Sequence, residues 1–123
     1  MSRIGTDIVE VARIARAIAN WQLSFLERVF TAEEMINIDI ADPNIERAAG
    51  FWAAKESMVK ALGYGFRDGI RFQDISVTHD AFGCPGFKFS GRVKEILAEK
   101  GITDVCLSIS HCRSYATAVT FIS

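Results

Sequence analysis

The sequence predicts an α+β fold in which a mostly antiparallel sheet packs against a long central helix. Apolar residues with helical spacing dominate the first half of the chain, and alternating apolar residues, typical of half-buried strands, dominate the second half. One helical stretch lies between strands in the second half. Helices and strands are therefore largely segregated along the chain, which favours α+β over a parallel α/β sheet.

The chain opens with a strand and then turns helical. Residues 3–11 are rich in Ile, Val and Thr, as strands are, and the next apolar residues have helical spacing: Val11, Ile14 and Ile18. This first helix is predicted to end near Asn20, with a second short helix over 25–30. Thr31 and Glu34 have the spacing of a capping box, which predicts the start of a further helix.

A long helix is predicted in the centre of the chain. Asp42-Pro43 indicates its start, because Asp caps free backbone amides and Pro already has a helical φ at the first helical position. Gly63 indicates its end, since glycine readily takes the left-handed conformation that closes a helix. The helix would be about 30 Å long. Gly50 is unfavourable inside a helix and predicts close packing there against another backbone.

Strands dominate the rest of the chain. Four stretches with alternating or β-rich patterns are predicted as strands: 75–77, 87–89, 105–110 and 115–122. A turn is predicted at 83–86, and a helix over 93–97 that stops at Gly101. No repeat or linker interrupts the pattern. With 123 residues, the chain is predicted to form a single domain over 1–123 with one hydrophobic core.

Composition and charge exclude several classes of protein. The chain is 50% hydrophobic and 24% charged, a balance typical of a globular protein rather than a disordered one. Its 14 basic and 15 acidic residues nearly cancel, so no global field would attract nucleic acid or an anionic membrane. Any charged partner must bind a local patch.

The cysteines and the absence of a targeting pattern predict a reducing, cytoplasmic location. There is no signal peptide and no long apolar run, and the three cysteines lack the paired spacing of a zinc site. All three are predicted to be small buried or half-buried side chains: Cys84, Cys106 and Cys112.

Two carboxylates and a lysine are the strongest candidates for chemistry. Glu56 and Lys60 are one turn apart on the central helix and share a face, where a surface ion pair is the simplest interpretation. Asp7 interrupts an apolar strand, where an unpaired charge is costly. Magnesium would compensate this charge, since it takes one or two carboxylates and leaves its other positions to water and phosphates. An Asp7 that caps the first helix or faces solvent is the open alternative.

Ser110 and His111 are weaker candidates at the end of a predicted strand. A hydroxyl and an imidazole in this position can reach a ligand from a rigid support, although a single histidine there is more often structural. His79 is predicted to be a surface residue in a turn. The sequence lacks the motifs of nucleophile-elbow hydrolases, P-loop proteins and zinc proteases, which argues against those classes.

Three motifs occur in a specific order along the chain: Gly5-Thr6-Asp7-Ile8-Val9-Glu10, Ala54-Lys55-Glu56-Ser57 continuing to Lys60-Ala61-Leu62-Gly63, and Ser108-Ile109-Ser110-His111. The connecting segments at 63–65, 72–75 and 83–85 have the matching spacing. Each motif alone is weak, but the ordered set resembles holo-acyl-carrier-protein synthase, the short trimeric type of 4′-phosphopantetheinyl transferase. The resemblance implies the 4′-phosphopantetheinyl transferase fold.

The resemblance also implies a reaction. The chain would transfer 4′-phosphopantetheine from coenzyme A to a serine of apo acyl carrier protein, releasing adenosine 3′,5′-bisphosphate, in support of fatty acid biosynthesis. Mg²⁺ would be held by Asp7 and Glu56, and Lys60 would contact phosphate, with Lys55 as a weaker phosphate candidate. Glu56 or a water on the metal would take the proton of the acceptor serine, and the sequence does not choose between them.

The same resemblance places Ser110 and His111 near the nucleotide half of coenzyme A. It further implies a homotrimer with each active site between neighbouring subunits. The acidic carrier protein would dock on basic residues of the first helix, which here are Arg13, Arg16 nearby, and further along Arg28.

Two departures from the family pattern affect the nucleotide contacts. Phe51 and Cys84 stand where many relatives carry Arg and Lys, so two positive charges near coenzyme A are expected to be lost.

Two other functions would use the same residues. A small magnesium-dependent nucleotide hydrolase could employ both carboxylates and the lysine, and transfer from coenzyme A to a carrier protein separates it from a transferase. A non-catalytic trimeric binding module is the second alternative. The joint presence of Asp7, Glu56, Lys60 and His111 counts against that module.

Overall fold

The computed structural model describes residues 2–39, 41–67 and 69–123, and the elements follow the predicted order. Within these residues the chain forms five strands, four α-helices and a 3₁₀ turn at Phe72–Asp74. The first half contains β1 (Arg3–Glu10), α1 (Val11–Val29), α2 (Ala32–Ile38) and α3 (Ile45–Leu62). The second half contains β2 (Ile75–His79), β3 (Pro85–Phe89), α4 (Gly91–Lys100), β4 (Val105–His111) and β5 (Tyr115–Ile122).

The strands form two antiparallel sheets. β5 lies between β1 and β4 in a three-stranded sheet, and β2 pairs with β3 in a hairpin. In the three-stranded sheet, Asp7 lies opposite Ala118, which lies opposite Ile109 on its other side. α3 packs mainly across β1 and β5. The predicted class, a mostly antiparallel sheet against a long central helix, is confirmed.

Most of α3 is buried because its apolar and small residues occur on nearly every face. Two clusters of buried side chains meet along it. One includes Phe51 and residues of β1, β5 and α1, and the other includes Met58 and residues of β2 and α4. Since α3 contributes to both clusters, we propose that residues 1–123 act as one domain.

One predicted helix boundary needs correction. α3 begins at Ile45, not at Pro43, because Asn44 is the N-cap and its Oδ1 accepts a hydrogen bond from Arg47 N at 3.1 Å. α1 spans Val11–Val29, but Gln22 inside it has non-helical φ and ψ angles of 47° and −127°, so two helical segments meet at a kink there. This break agrees with the predicted helix end near Asn20 and the second helix over 25–30. The capping box at the start of α2 and the left-handed Gly63 at the end of α3 are also present as predicted.

The predicted backbone contact of Gly50 is wrong. A β-carbon placed on Gly50 would lie 3.2 Å from Cγ2 of Ile109, so its close neighbour is a side chain of β4. Gly50 leaves room for that isoleucine.

The three-stranded sheet is covered by α3 on one face only. Five large apolar side chains on its other face are 39–65% exposed: Ile4, Ile8, Tyr115, Val119 and Phe121. Exposed apolar surfaces of this kind are typical of protein–protein contact sites. Cys106, which pairs with Phe121, lies on this open face, and Cys84 and Cys112 are exposed as well. The predicted burial of the cysteines is therefore wrong for the single chain.

In the described part of the chain, every helix is too short or too polar to cross a bilayer.

Candidate functional site

Asp7, Glu56 and Lys60 converge between β1 and α3. Nζ of Lys60 donates a hydrogen bond to Oδ1 of Asp7 at 2.8 Å, although the two residues are 53 positions apart. The Asp7 side chain is 12% exposed, whereas that of Lys60 is 50% exposed. Glu56 lies one helical turn before Lys60, so α3 presents both residues toward β1. The solvent-facing alternative for Asp7 is excluded by this placement.

The electrostatic surroundings of Glu56 include Asp7, Lys60 and Arg13. Burial raises the pKa of Glu56, and the charge of Asp7 raises this pKa further, while Lys60 and Arg13 lower it. Two carboxylates that repel each other in a half-buried position are stabilised by a cation between them. The chain supplies Lys60 for part of this compensation.

The donor set fits magnesium rather than a softer metal. Asp7 and Glu56 offer hard carboxylate oxygens, and magnesium binds with one or two carboxylates plus water and phosphate. Within the described residues, His, Cys, Asp and Glu side chains form no group of three or more suited to a metal ion. A cation at this place would therefore share its coordination with water and a phosphate-bearing ligand, as magnesium does in phosphoryl-transfer enzymes.

We expect the affinity for a divalent cation to decrease as the pH is lowered. This decrease should begin at a pH above the usual pKa of glutamate. Protonated Glu56 cannot bind a cation, and its pKa is raised, so binding is complete above this pKa and is lost as the pH falls through it. Electron paramagnetic resonance of free Mn²⁺ at each pH gives the dissociation constant. The midpoint is the pH at which this constant begins to rise. Lys60→Met should move it to higher pH, because Lys60 lowers the pKa of Glu56. A midpoint at or below the ordinary glutamate value would contradict the expectation.

Ser110 and His111 lie at the end of β4, on the other side of β5 from Asp7. His111 Nδ1 is 3.0 Å from Oε1 of Glu46 at the start of α3. His111 also borders a pocket of about 240 Å³ between α3, β4 and the β2–β3 hairpin. The other residues around this pocket are Arg47, Gly50, Phe51, His79, Gly83, Pro85 and Ile109. Ser110 pairs with Thr117, and its side chain lies on the open face of the sheet.

Three residues at this pocket carry no distinctive sequence signal. Arg47 brings a guanidinium that donates to the Asn37 carbonyl at 2.8 Å, and Glu46 partners His111. His79 is exposed as predicted, but it ends β2 rather than lying in a turn, and its ring packs 5.9 Å from that of Phe51. Many sequences have charged residues at a helix start and a histidine near a turn, so these features do not identify a pocket. The pocket becomes visible only when the position of the β2–β3 hairpin relative to α3 is known.

The carboxylate centre and the His111 pocket are separate in the single chain. β1 and β4 flank β5, which sets their axes about 10 Å apart at the usual strand spacing. The residues around the His111 pocket include neither Asp7 nor Glu56. One chain therefore presents two half-sites at opposite edges of the same sheet.

Lys55 does not belong to either half-site. Its side chain is 0% exposed, and Nζ donates to Oε1 of Glu34 and to the carbonyl oxygen of Val29, both at 2.6 Å. Its ammonium is buried and bonded to two protein oxygens, so the prediction of Lys55 as a phosphate contact is wrong. Glu34 therefore has two roles. The sequence predicts its role in the capping box, but not its role as the partner of Lys55.

Known proteins resemble this chain along nearly its whole length. A model of the 4′-phosphopantetheinyl transferase superfamily matches residues 3–120. The holo-[acyl-carrier-protein] synthase of Verminephrobacter eiseniae is 42% identical over 119 residues, which cover 97% of this chain and 91% of that protein.

Solved structures agree with the sequence comparison. The crystal structure of the Neisseria meningitidis holo-[acyl-carrier-protein] synthase aligns with a TM-score of 0.90 at 35% identity, covering 98% of this chain and 97% of that one. The Helicobacter pylori holo-[acyl-carrier-protein] synthase in complex with coenzyme A aligns with a TM-score of 0.86 at 33% identity, covering 98% and 99%.

The chain therefore belongs to the 4′-phosphopantetheinyl transferase superfamily. The relatives within that superfamily are holo-acyl-carrier-protein synthases, so both the predicted family and the predicted enzyme class are confirmed.

Proposed function

We propose that this chain transfers 4′-phosphopantetheine from coenzyme A to a serine of apo acyl carrier protein, with Mg²⁺ bound by Asp7 and Glu56. Adenosine 3′,5′-bisphosphate is released, and the reaction serves fatty acid biosynthesis in the cytoplasm. The observation that carries the proposal is the convergence of Asp7, Glu56 and Lys60 in a chain of this superfamily. The Helicobacter pylori relative, solved with coenzyme A, supports the choice of donor.

The reaction requires positioning and charge more than a protein nucleophile. The serine Oγ forms a bond to the phosphorus that carries pantetheine, and the bond from this phosphorus to the oxygen of the departing bisphosphate breaks. Asp7 and Glu56 would hold Mg²⁺, which would supply charge neutralisation for the pyrophosphate. Lys60 is half-exposed on a flexible stem, so its ammonium can move from Asp7 to a phosphate oxygen. The serine proton passes to Glu56 or to a water beside it.

The pocket around His111 is proposed to hold the nucleotide half of coenzyme A. Arg47, His79 and His111 are its cation-forming side chains, whereas the Ser110 hydroxyl lies on the opposite, open face of β4. Phe51, which replaces a basic residue of many relatives, is 2% exposed and packs in the core. Cys84 is exposed in the turn before β3 and brings no charge. The remaining positive charge near the pocket therefore rests on Arg47, and on His79 and His111 when they are protonated.

We further propose a homotrimer in which the two half-sites meet across subunits. The open face of the three-stranded sheet exposes five large apolar side chains that a partner would cover. A neighbouring copy could then bring its His111 pocket to the Asp7 edge of this chain, which a single chain does not do. A closed ring of three copies would satisfy every such edge.

Mixing two inactive variants tests this arrangement. Glu56→Gln and His111→Ala, refolded together, are expected to regain activity at about a quarter of the sites, because random assortment pairs an intact Glu56 with an intact His111 of a neighbour at that frequency. Each variant refolded alone is the control. If the mixture remains at the mean of the two separate activities, the half-sites are not shared between subunits.

Charge reversal of Arg13 is expected to weaken carrier-protein capture more than coenzyme A binding. Arg13 and Arg16 are both exposed and lie one turn apart on α1, so they can present one basic patch to an acidic partner. Arg13→Glu should raise the KM for the carrier by at least about tenfold, with a weaker salt dependence. Arg16→Glu should act in the same direction, and Lys94→Glu on α4 is the control. An unchanged KM for the carrier would remove Arg13 from the docking surface.

Nucleotide release distinguishes a transferase from a nucleotide hydrolase and from a non-catalytic binding module. With coenzyme A and Mg²⁺, release of adenosine 3′,5′-bisphosphate measured by chromatography should require apo carrier protein and match the amount of carrier modified. Release without carrier would indicate a nucleotide hydrolase. No release under either condition would indicate a binding module.

A further inference from the structure

Gly5 lies at the point where β1 touches α3 most closely. A β-carbon on Gly5 would overlap the carbonyl oxygen of Ser57, and it would lie 2.5 Å from Ala61 N and 3.0 Å from Ala61 Cα. These are backbone atoms of a buried helix, so no side-chain rotation makes room for the extra carbon. Glycine is required at this position by the close approach of two backbones.

The same contact is tied to the neighbouring strand by a pair of hydroxyls. Thr120 lies opposite Gly5 in β5, and its Oγ1 is 2.7 Å from Oγ of Ser57, with both side chains fully buried. Ser57 Oγ also donates to the carbonyl oxygen of Ala54 at 2.7 Å, which uses its only proton. Thr120 is therefore the donor to Ser57. This bond fixes the distance between the sheet and α3 beside Gly5.

The residues of this contact are neighbours of the three site residues. Glu56 and Lys60 immediately precede Ser57 and Ala61 on α3. Asp7 follows Gly5 by two positions and so lies on the same face of β1. The distance between the two backbones at Gly5 thus determines how far the Asp7 carboxylate lies from Glu56 and Lys60.

We propose that Gly5 is a positioning residue of the cation site. Without a side chain at this position, β1 packs against α3 closely enough for Asp7 and Glu56 to bind one cation. The inference rests on the proposed function, because it takes Asp7 and Glu56 as the cation ligands. A side chain at position 5 separates β1 from α3, and Asp7 moves with the strand.

The test is Mn²⁺ binding to the full-length protein without coenzyme A, followed by electron paramagnetic resonance. Gly5→Ala is expected to weaken Mn²⁺ binding by at least about tenfold, the size of effect seen when residues that orient metal ligands are changed. Val93→Ala, a buried truncation in α4, is the control for lost stability. Gly65→Ala is the matched glycine control, since a β-carbon there meets no atom within 4 Å. Both controls should bind Mn²⁺ as the wild type does, at a temperature where all variants are folded.

The outcomes separate this inference from the proposed function. If Asp7→Asn binds Mn²⁺ as tightly as the wild type, the cation site itself is wrong and the inference falls with it. If Asp7→Asn loses binding but folded Gly5→Ala keeps wild-type affinity, Gly5 does not position the site and only the inference is overturned. If Gly5→Ala does not fold, Ala61→Ser decides, because it enlarges the α3 residue whose backbone N and Cα face Gly5. Weakened Mn²⁺ binding by Ala61→Ser supports the inference, and wild-type binding overturns it.

Discussion

Glu56→Gln is expected to reduce phosphopantetheine transfer by at least about a hundredfold, comparable to removing a single charge-stabilising group from other active sites. Glutamine keeps the volume of glutamate but removes the charge that a cation needs. The fold should remain near that of the wild type, because Glu56 is half-buried and its ionised form is disfavoured by burial and by Asp7. Initial rates at saturating Mg²⁺ and the thermal unfolding midpoint measure the two effects.

Asp7→Asn should cause a similar loss of transfer. The side-chain volume is again preserved, and only the pairing with Lys60 and the cation is removed. Glu99→Gln is the matched control, since Glu99 is an exposed carboxylate on α4 whose partner is Arg92 at 3.2 Å. This control should keep full activity. Full magnesium-dependent activity in either Asp7→Asn or Glu56→Gln would show that the metal ligands are assigned wrongly.

Lys55→Met should lower the free energy of unfolding by about 3–5 kcal/mol, as expected when one partner of a buried ion pair is removed. Lys55 and Glu34 are both 0% exposed, and the variant leaves the Glu34 charge buried without a cation. It also leaves the Val29 carbonyl oxygen without the Lys55 donor. Burial lowers the pKa of Lys55, while Glu34 opposes this shift. Denaturant unfolding measures the change.

A double variant identifies the source of this loss. In Lys55→Met/Glu34→Gln the stranded charge is gone, so part of the stability should return. Recovery should be incomplete, because Glu34 Oε1 and Oε2 also accept hydrogen bonds from the amides of Thr31 and Val77, at 2.8 and 2.7 Å. Lys94→Met is the exposed control and should stay within about 0.5 kcal/mol of the wild type. A comparably small effect of Lys55→Met would mean that the buried pair contributes little to folding.

The fold was predictable because local patterns and tertiary structure agree along most of the chain. The alternating residues of β4 and β5 each have one face toward α3, which is the condition under which period two predicts a strand. Capping chemistry was less decisive. Asp42 and Asn44 are both good N-cap residues, and Asn44 is the one that caps α3. Its backbone N donates a hydrogen bond to the Ile38 carbonyl oxygen at 2.8 Å, which anchors the turn to α2.

The candidate site was predictable only in part. Asp7, Glu56 and Lys60 were identified by residue type and order, and the structure brings them together. Lys55 was misjudged because its position beside Glu56 in the sequence says nothing about the direction of its side chain. Adjacent helical residues point about 100° apart, so Lys55 faces Glu34 and the core while Glu56 faces Asp7.

The role of glycines depended on distances that a sequence does not contain. Gly50 stood out because it interrupts a helix, yet its close neighbour is the Ile109 side chain. Gly5 lies in a strand, and only the approach of α3 to within contact of its α-carbon shows why no side chain fits there. The exposure of Cys106 has a similar explanation, because the sheet face that carries it is uncovered in one chain.

The intact mass of apo acyl carrier protein after incubation with this chain, coenzyme A and Mg²⁺ tests the central claim most directly. The account predicts that each carrier molecule gains one phosphopantetheine, that chelation of Mg²⁺ prevents the gain, and that Asp7→Asn and Glu56→Gln do not produce it. An unchanged carrier mass with the wild-type chain at saturating coenzyme A and Mg²⁺ would contradict the account.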